Sequence, residues 1–291
     1  LGPTRGMVPS DFLGRGLVKI KGSLHEYQTA YPCKWEEVNT FIKETCVKLN
    51  QAIKLKAPRI AVLPQHVRLE DVETKITDIR SVPVGITKNT LQVSTFNFNK
   101  NLISLILSQD ITLQDKFIPS LAQVLQKITN LELHMIDANE SIKDTKTFKN
   151  YYSINYNETL DKLEQISDNN NGKMNVFIIF GFDTFKNGLS SDRQIKLKNI
   201  LKQIKTKPHI RIAIAESATK MKMYEYEDFF RENVQQIYGI WIGSGLTEQF
   251  TLKTTTYNKE TRAQIESNFG YNIDRGIATQ IKLLDFYSKD E

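Results

Sequence analysis

An apolar strand, a polar loop and an amphipathic helix follow one another between residues 101 and 128, and this stretch constrains the fold most. Residues 102–107 form an apolar run interrupted only by Ser104, which is typical of a buried strand. An eight-residue loop, 108–115, comes next. Apolar side chains then recur at helical spacing at Phe117, Leu121, Val124 and Ile128. The sequence therefore predicts a loop that joins the end of a buried strand to the start of a helix.

The loop has the length of a phosphate-binding P-loop, whose template is G-x-x-x-x-G-K-[ST], but it lacks that chemistry. Ser108 and Leu113 stand at the glycine positions, Gln114 at the lysine position and Asp115 at the hydroxyl position. Leucine does not readily adopt the positive φ available to glycine, and glutamine brings no positive charge. The loop indicates a nucleotide-binding fold with a disabled site. A second interpretation, that any buried strand, turn and helix gives this pattern, stays open.

The carboxylate at position 115 works directly against phosphate binding. About 4 Å from a phosphate oxygen, it costs roughly 4 kcal/mol at an effective dielectric constant of about 20. The carboxylate of Asp115 or Asp110 can instead cap the following helix, as an anion in the place of phosphate. We therefore expect the loop to fold over the helix N-terminus and to leave no room for a nucleotide.

Strands and helices alternate along the second half of the chain. Apolar runs of strand length lie at 131–136, 176–180, 210–215 and 237–242, and helical segments lie at 158–166, 192–204 and 224–233. Continuous apolar strands joined through helices favour a parallel sheet that is covered on both faces. The predicted fold class is α/β, with a P-loop NTPase core, a mainly parallel sheet and helices on both faces. The family resemblance described below implies that this core is of the FtsK/RecA type.

A P-loop enzyme also needs an apolar strand that ends in an acidic residue, which holds Mg²⁺. The candidate strand 176–180 ends in Phe180 and Gly181, where that acid is expected. Asp183 follows three residues later, and we expect it in a first helical turn, as a cap. The lysine, the hydroxyl and the metal carboxylate are thus all missing. This combination predicts no ATP hydrolysis by this segment alone.

Other catalytic centres have little support in the sequence. The four histidines are scattered without metal-ligand spacing, and the two cysteines form no C-x-x-C pair. Cys46 falls on an apolar helical series that begins at Trp35, so we expect a packed core thiol. Glu216 and Ser217 follow a strand at a place where this fold often carries a nucleotide-sensing polar residue, and a helix-capping serine is equally compatible. No apolar run reaches the length of a membrane span, so we expect the segment to be neither inserted nor exported.

The formal net charge is +6, and positive side chains are concentrated between residues 186 and 222. Such a surface could follow a nucleic-acid backbone or meet an acidic protein. A solvated helix face with lysine tips in water explains the same pattern. Aromatic residues are not interleaved as a base-stacking platform requires, which disfavours nucleic acid as a partner.

Taken together, the chain resembles the third, C-terminal ATPase-like domain of the FtsK/SpoIIIE-family motor proteins of type VII secretion. The segments that carry the resemblance are Gly14-Arg15-Gly16-Leu17-Val18-Lys19, Tyr27-Gln28-Thr29-Ala30, Ala57-Pro58-Arg59-Ile60, Val62-Leu63-Pro64, Val82-Pro83-Val84-Gly85-Ile86, the loop 108–115 and Gly239-Ile240-Trp241-Ile242-Gly243. The resemblance extends over nearly the whole chain. It implies that residues 1–30 are a connector and closing strand from a preceding motor domain, and that residues 31–291 are the degenerate ATPase-like domain.

The resemblance further implies a cytoplasmic domain of a bacterial cell-membrane protein, hexameric in the full assembly and monomeric in isolation. Its expected partners are the preceding ATPase domains of the same chain and secreted WXG-type helical proteins. No cofactor is expected, with ATP-Mg²⁺ bound weakly if at all. Tyr224 and Trp241 are the candidate substrate contacts, since aromatic side chains anchor interfaces. Helical spacing assigns Tyr226, Phe229 and Phe230 to the core and leaves Tyr224 as the better exposed candidate. Two alternatives stay open: an active ATPase domain completed in trans, and a DNA-translocase-like module.

Overall fold

The computed structural model describes residues 6–30, 32–53 and 61–286. The chain divides into two compact units, Leu1–Ile60 and Ala61–Glu291. This division differs from the expected boundary between residues 30 and 31, because the first helix groups with the N-terminal hairpin. The assignment of residues 1–30 to a preceding domain stays a prediction. The segment 57–60 that contributes to the resemblance lies outside the described residues.

The N-terminal unit contains a β-hairpin and a helix. Strands β1 (Arg15–Ile20) and β2 (Ser23–Gln28) pair antiparallel. The two turn residues, Lys21 and Gly22, both have positive φ, as a two-residue type I′ turn requires. A 3₁₀ turn at Trp35–Glu37 leads into α1 (Val38–Ala52). Gly22 thus occupies one of the two left-handed positions of this tight turn, and Lys21 occupies the other.

Helix α1 forms where the apolar periodicity predicts it, but none of its residues is buried. Cys46 is exposed, so the prediction of a packed core thiol is wrong. Periodicity identifies which face of a helix is apolar, whereas burial also needs a second surface against that face. The sequence pattern carries no information about that second surface.

The C-terminal unit is built on a ten-stranded mixed sheet. Its strands are β3 (Val82–Thr87), β4 (Val93–Phe96), β5 (Ile103–Ser108), β6 (Leu131–Asp137), β7 (Tyr151–Tyr152), β8 (Met174–Phe180), β9 (Ile210–Ser217), β10 (Gly239–Ile242), β11 (Phe269–Asp274) and β12 (Ile277–Leu283). Their spatial order is β4-β3-β12-β11-β10-β5-β9-β8-β6-β7. Strands from β10 to β7 pair in parallel, and strands from β4 to β10 pair antiparallel. The predicted mainly parallel sheet is confirmed, with an antiparallel extension on one side.

Helices lie on both faces of this sheet. They are α2 (Leu69–Val72), α3 (Phe117–Gln126), α4 (Tyr156–Asp168), α5 (Phe182–Asn187), α6 (Ser191–Gln203), α7 (Ala218–Lys222), α8 (Asp228–Asn233) and α9 (Lys259–Arg262), with 3₁₀ turns at Glu73–Lys75, Ile111–Gln114, Thr145–Thr147, Ile204–Thr206 and Leu246–Glu248. Within the described residues, no helix combines the length and the apolar character needed to cross a bilayer.

The central strand β5 shows how the two faces are filled. All six of its residues are buried, and successive side chains point to opposite faces. Ile106 packs in the core cluster that contains Phe117 of α3. Leu105 and Leu107 pack in the second cluster, together with residues of α5, α6 and α8. A strand buried on both faces is the reason for the continuous apolar run in the sequence.

Candidate functional site at the carboxyl ends of the central strands

The predicted site segments meet at one edge of the sheet. Strands β5, β9 and β8 are adjacent and parallel, so their carboxyl ends lie side by side. Gln114, from the loop after β5, contacts Glu216 at the end of β9. Asp183, after β8, contacts the same Glu216. The fold thus brings together the residues that the sequence analysis assigned to a degenerate nucleotide site.

Asp110 supplies the anion within the loop. One carboxylate oxygen accepts hydrogen bonds from the backbone N–H and the hydroxyl of Thr112, each at 2.9 Å, and these bonds lower the pKa of Asp110. It thereby caps the 3₁₀ turn Ile111–Gln114, and not the following helix, which Asp110 or Asp115 was predicted to cap. Helix α3 begins instead after Lys116, without a side-chain capping bond, so the prediction that Asp115 caps this helix is wrong.

Three backbone N–H groups of the loop donate within the loop itself. The N–H of Leu113 donates to the carbonyl of Asp110 at 3.1 Å, and the N–H of Asp115 donates to the carbonyl of Thr112 at 3.3 Å. The N–H of Thr112 is taken by the Asp110 carboxylate. None of the residues 108–115 has a positive φ. These donors therefore do not converge outwards, as a phosphate cradle requires.

Gln114, at the lysine position of the template, fills the interior of the loop. Its side chain is completely buried. The amide nitrogen donates to the hydroxyl oxygen of Ser108 at 2.7 Å and to the backbone carbonyl of Glu216 at 2.9 Å. The hydroxyl of Ser108 in turn donates to the carbonyl of Asp110 at 2.7 Å. The side chain at the position of the phosphate-binding lysine thus points into the protein, where its hydrogen bonds link β5 to β9.

Asp115 lies at the rim of the loop among other carboxylates. Partial burial raises its pKa, a hydrogen bond with Ser141 lowers it, and the charges of Asp137 and Asp110 raise it further. A phosphate placed beside Asp115 would meet the same negative field. The predicted unfavourable charge at this position therefore follows from several carboxylates and not from Asp115 alone.

Strand β8 ends without a metal-binding acid. Phe180 is buried in the core cluster on the α3 side of the sheet, and Gly181 follows with a φ of +85°. A Cβ atom at Gly181 would stand 2.5 Å from the side-chain oxygen of Asn139. The space after β8 is therefore occupied by Asn139, which packs directly over the glycine.

Asp183 and Glu216 form a second polar cluster beside the loop. Asp183 lies in the first turn of α5, as expected, but makes no capping bond. Its carboxylate accepts a hydrogen bond from the hydroxyl of Tyr224 at 2.6 Å. The buried Glu216 carboxylate accepts the backbone N–H of Asp183 at 3.0 Å and that of Ser217 at 2.8 Å. An intramolecular anion, Glu216, thus occupies the N-terminal turn of α5.

Sequence reasoning missed Asp137, the buried acid at the end of β6. Its carboxylate accepts the backbone N–H of Ile142 and the hydroxyl of Tyr151, both at 2.9 Å. Burial raises the pKa of Tyr151, and the Asp137 charge raises it further. An acid directly after an apolar parallel strand was the signal that could have identified it. Within the described residues, no group of three or more potential ligands could hold a metal ion.

A cavity of about 570 Å³ lies beside the closed loop. It is lined by Thr112, Leu113, Asp115, Lys116 and Phe117, and by residues 266–268 and 283–285 with His66. The interior of the loop is filled by the Gln114 side chain, while open space lies next to the loop. That no nucleotide binds in the loop stays a prediction.

The aromatic candidates for substrate contact are not at the surface. Tyr224 is 3% exposed and Trp241 is 0% exposed, so the expectation that Tyr224 lies exposed is wrong. Phe229 and Phe230 are buried, as predicted, whereas Tyr226 is 86% exposed and does not belong to the core. Tyr224 is buried because it packs edge-on to Phe182 and reaches Asp183. A contact of this region with a substrate stays a prediction.

The basic segment is largely neutralised by its neighbours. Lys196 pairs with Asp161 and Glu164 of α4, and Lys202 pairs with Asp228 and Glu232 of α8. Further pairs are Arg193–Asp161, Lys198–Glu227, Lys205–Glu232 and Lys207–Asp168. The charge excess in the sequence thus stabilises contacts between helices, which weakens the DNA-translocase alternative.

The parallel sheet, the strand–loop–helix at its centre and the helices on both faces define the class of protein: the fold is that of the P-loop ATPases of the FtsK/SpoIIIE type. No protein-family model and no curated protein sequence matches the chain. The comparisons that match are with solved structures.

The structural neighbours include EssC and EccC cytoplasmic ATPase domains from type VII secretion. EssC (ATPases 2 and 3) from Geobacillus thermodenitrificans has a TM-score of 0.70 at 18% identity, over 98% of this chain and 58% of that one. The cytoplasmic domain of EssC has a TM-score of 0.58 at 16% identity, over 97% and 61%. Thermomonospora curvata EccC (ATPases 2 and 3) in complex with a signal sequence peptide also gives 0.58 at 16% identity, over 97% and 55%. The chain thus spans about three fifths of these chains, and at such identities the likeness is one of fold.

Proposed function

We propose that this chain is a catalytically degenerate ATPase-like domain of a type VII secretion coupling protein. In this function it recognises secreted substrates, regulates the preceding ATPase domains of the same protein, or does both. The observation that carries the proposal is the position of Gln114. Its buried amide ties Ser108 of β5 to the carbonyl of Glu216 in β9, where an active domain needs a lysine that reaches phosphate.

Loss of the phosphate site rests on backbone, charge and metal ligands together. The N–H groups of Thr112, Leu113 and Asp115 are bonded within the loop. The carboxylates of Asp137 and Asp110 lie close enough to Asp115 to raise its pKa, so an anion beside Asp115 meets several negative charges. Phe180 and Gly181 supply no side-chain oxygen ligand for Mg²⁺, whose usual partners are carboxylates and phosphates. Restoring one of these features would leave the other two unfavourable.

The proposed role in secretion is supported by the fold and by one solved complex of a structural neighbour. The neighbours EssC and EccC are type VII secretion ATPases, and the Thermomonospora curvata protein was solved with a signal sequence peptide. A nucleotide fold released from catalysis can present its surface to such a peptide. We therefore propose secreted helical proteins of the WXG type as partners, and a place in the cytoplasmic part of a membrane-anchored, hexameric assembly.

Calorimetric titration of the full chain with ATP-Mg²⁺ tests the loss of nucleotide binding. We expect no saturable heat, whereas a micromolar dissociation constant would overturn the degenerate site. The same titration of the chain joined to its preceding domain tests completion in trans. ATP turnover that is abolished in that longer protein by Lys116→Met, a change of an exposed basic side chain beside the loop, would favour the alternative of an active domain.

Fluorescence anisotropy with labelled C-terminal peptides of candidate secreted proteins tests the recognition role. We expect binding that is indifferent to ATP-Mg²⁺, because no nucleotide enters the loop. The exposed Tyr226 and the buried Tyr224 form a matched pair for this measurement. A peptide that contacts this surface loses affinity on Tyr226→Ser, and recognition by α7 and α8 is refuted if that variant binds like the wild type.

A further inference from the structure

We propose that the cavity beside the closed loop binds a small cation that carries N–H donors on an apolar body, of the amidinium or guanidinium class. The cavity measures about 570 Å³ and lies between the loop after β5, the start of α3 and the segments that flank the β11–β12 hairpin. This site does not depend on a role in secretion, because it rests on the lining side chains alone.

The first support is a buried carboxylate oxygen without a donor. Asp285 is 5% exposed and lines the cavity. Its Oδ2 atom lies 2.9 Å from Nδ1 of His66, which fixes the orientation of the carboxylate. Its Oδ1 atom is buried and has no hydrogen-bond partner among the described residues. A buried acceptor left unpaired is costly, so this atom points to a donor from outside the chain.

A second unpaired acceptor lines the same cavity. The side-chain oxygen of Asn268 is also buried and lacks a hydrogen-bond partner within the described part of the chain. Two acceptors without donors in one cavity call for a ligand with more than one N–H group. Planar amidinium and guanidinium groups present several donors in a fixed geometry and form strong bonds to carboxylates.

The charge of the lining favours a cation over an anion or a neutral ligand. Asp115, Glu266 and Asp285 are acidic, and Lys116 carries the opposing charge. Without counting His66, three acidic side chains against one lysine leave two negative charges in excess among these residues. A triphosphate would be repelled by this lining, whereas a monocation would be attracted to it.

The remaining lining selects for an apolar body. Leu113, Phe117, Leu283 and Leu284 contribute side chains to the cavity, and Phe117 and the two C-terminal leucines belong to the core. Small-molecule sites in proteins combine such apolar walls with a few polar groups that fix orientation. A bare metal ion would make no favourable contact with these apolar side chains.

Lys116 is the intramolecular competitor for Asp285. Its Nζ atom lies 4.0 Å from Oδ1 of Asp285, which is too far for a hydrogen bond. The lysine side chain is largely exposed, so it is not held in the cavity. Removing it should leave Asp285 free for an external cation and strengthen binding.

Calorimetric titration of the full chain with benzamidine, against the neutral isostere benzamide, tests the site. We expect benzamidine to bind at least tenfold more tightly than benzamide. Asp285→Asn should weaken benzamidine binding at least tenfold, and Lys116→Met should strengthen it. Asp274→Asn is the matched control, because it removes the same charge at an exposed residue outside this cavity, and it should leave the affinity unchanged.

Equal binding of benzamide and benzamidine would overturn the site, as would an affinity that is unchanged in Asp285→Asn. If Asp285→Asn does not fold, the benzamidine affinities of Lys116→Met and Glu266→Gln test the site instead, since both side chains are exposed. We expect tighter binding by Lys116→Met and weaker binding by Glu266→Gln. Unchanged affinity in both variants contradicts the proposal. A terminally blocked Gly-Arg-Gly peptide and agmatine separate the two sources of the cation: tighter peptide binding indicates an arginine side chain, and tighter agmatine binding a free molecule. ATP-Mg²⁺ binding would refute the proposed function and leave the benzamidine result to be judged separately.

Discussion

The side-chain amide of Gln114 lies 2.7 Å from the hydroxyl oxygen of Ser108, so the two residues at opposite ends of the loop are joined across its interior. In an intact P-loop these positions belong to a lysine and a glycine. Their direct bond replaces the contact with phosphate by a contact within the protein. The interior of the loop is thus filled by protein side chains.

Replacing Gln114 by leucine should destabilise the C-terminal unit. The substitution leaves the buried Ser108 hydroxyl and the Glu216 carbonyl without their donor, which costs about 2 kcal/mol. Urea denaturation followed by circular dichroism measures the change in unfolding free energy. Gln109→Leu is the matched control, because Gln109 is exposed and its amide bonds to Glu248 at the surface. Equal effects of the two variants would contradict a structural role for the buried amide.

Replacing Gly181 by alanine should be more costly than replacing Gly172. Both glycines have a positive φ, +85° and +77°, so alanine costs about 1 kcal/mol at either position through the left-handed backbone. Only at Gly181 would the new Cβ meet a side chain, 2.5 Å from the oxygen of Asn139, while Gly172 faces open space. We expect a lower thermal midpoint for Gly181→Ala than for Gly172→Ala, and equal midpoints would argue against tight packing of Asn139 after β8.

The stability of the protein should fall at alkaline pH through its buried tyrosines. Burial raises the pKa of Tyr224, and the bond to Asp183 raises it further. The folded state then keeps its proton above pH 10, where the unfolded chain loses it, so this stabilising contribution declines as the pH rises above about 10. Each such tyrosine contributes about 1.4 kcal/mol per pH unit in that range.

Denaturation between pH 9 and pH 11 measures this slope. Tyr224→Phe should make the slope shallower, because the variant has no phenol to ionise at that position. Tyr226→Phe should retain the wild-type slope, since Tyr226 is 86% exposed. A slope that is the same in Tyr224→Phe and in the wild type would show that Tyr224 ionises normally.

Neutralising the paired lysines should leave the salt dependence of duplex DNA binding unchanged, because their charges are already paired with carboxylates of the protein. Lys196 and Lys202 each pair with two carboxylates, and Lys198 pairs with Glu227. Replacing all three by glutamine should cost less than about 1 kcal/mol of stability per lysine, because the pairs are partly exposed. The measurement is the salt dependence of duplex DNA binding. If the lysines contacted phosphate, the logarithmic slope would fall by about one unit for each, and that result would restore the translocase alternative.

Several features of this protein could be determined from the sequence because they depend on residue type and local order. Continuous apolar runs such as residues 102–107 and 176–180 specify strands that are covered on both faces, and they predict the parallel half of the sheet. The absence of the P-loop lysine and of an acid at Phe180 is also a property of the sequence, since no fold can supply a charge that the chain lacks.

The tertiary structure decided which surfaces meet and therefore which side chains are buried. Tyr224 and Tyr226 are two residues apart, yet Tyr224 lies against Phe182 and Asp183 while Tyr226 is at the surface. Gln114 can link the two strands only because β9 lies beside β5 and places the carbonyl of Glu216 within hydrogen-bond distance of the Gln114 amide. Periodicity records the apolar face of each element, but contacts such as Gln114 with Glu216 join residues far apart in the chain. They are fixed by the packing of the whole sheet, which a local pattern does not encode.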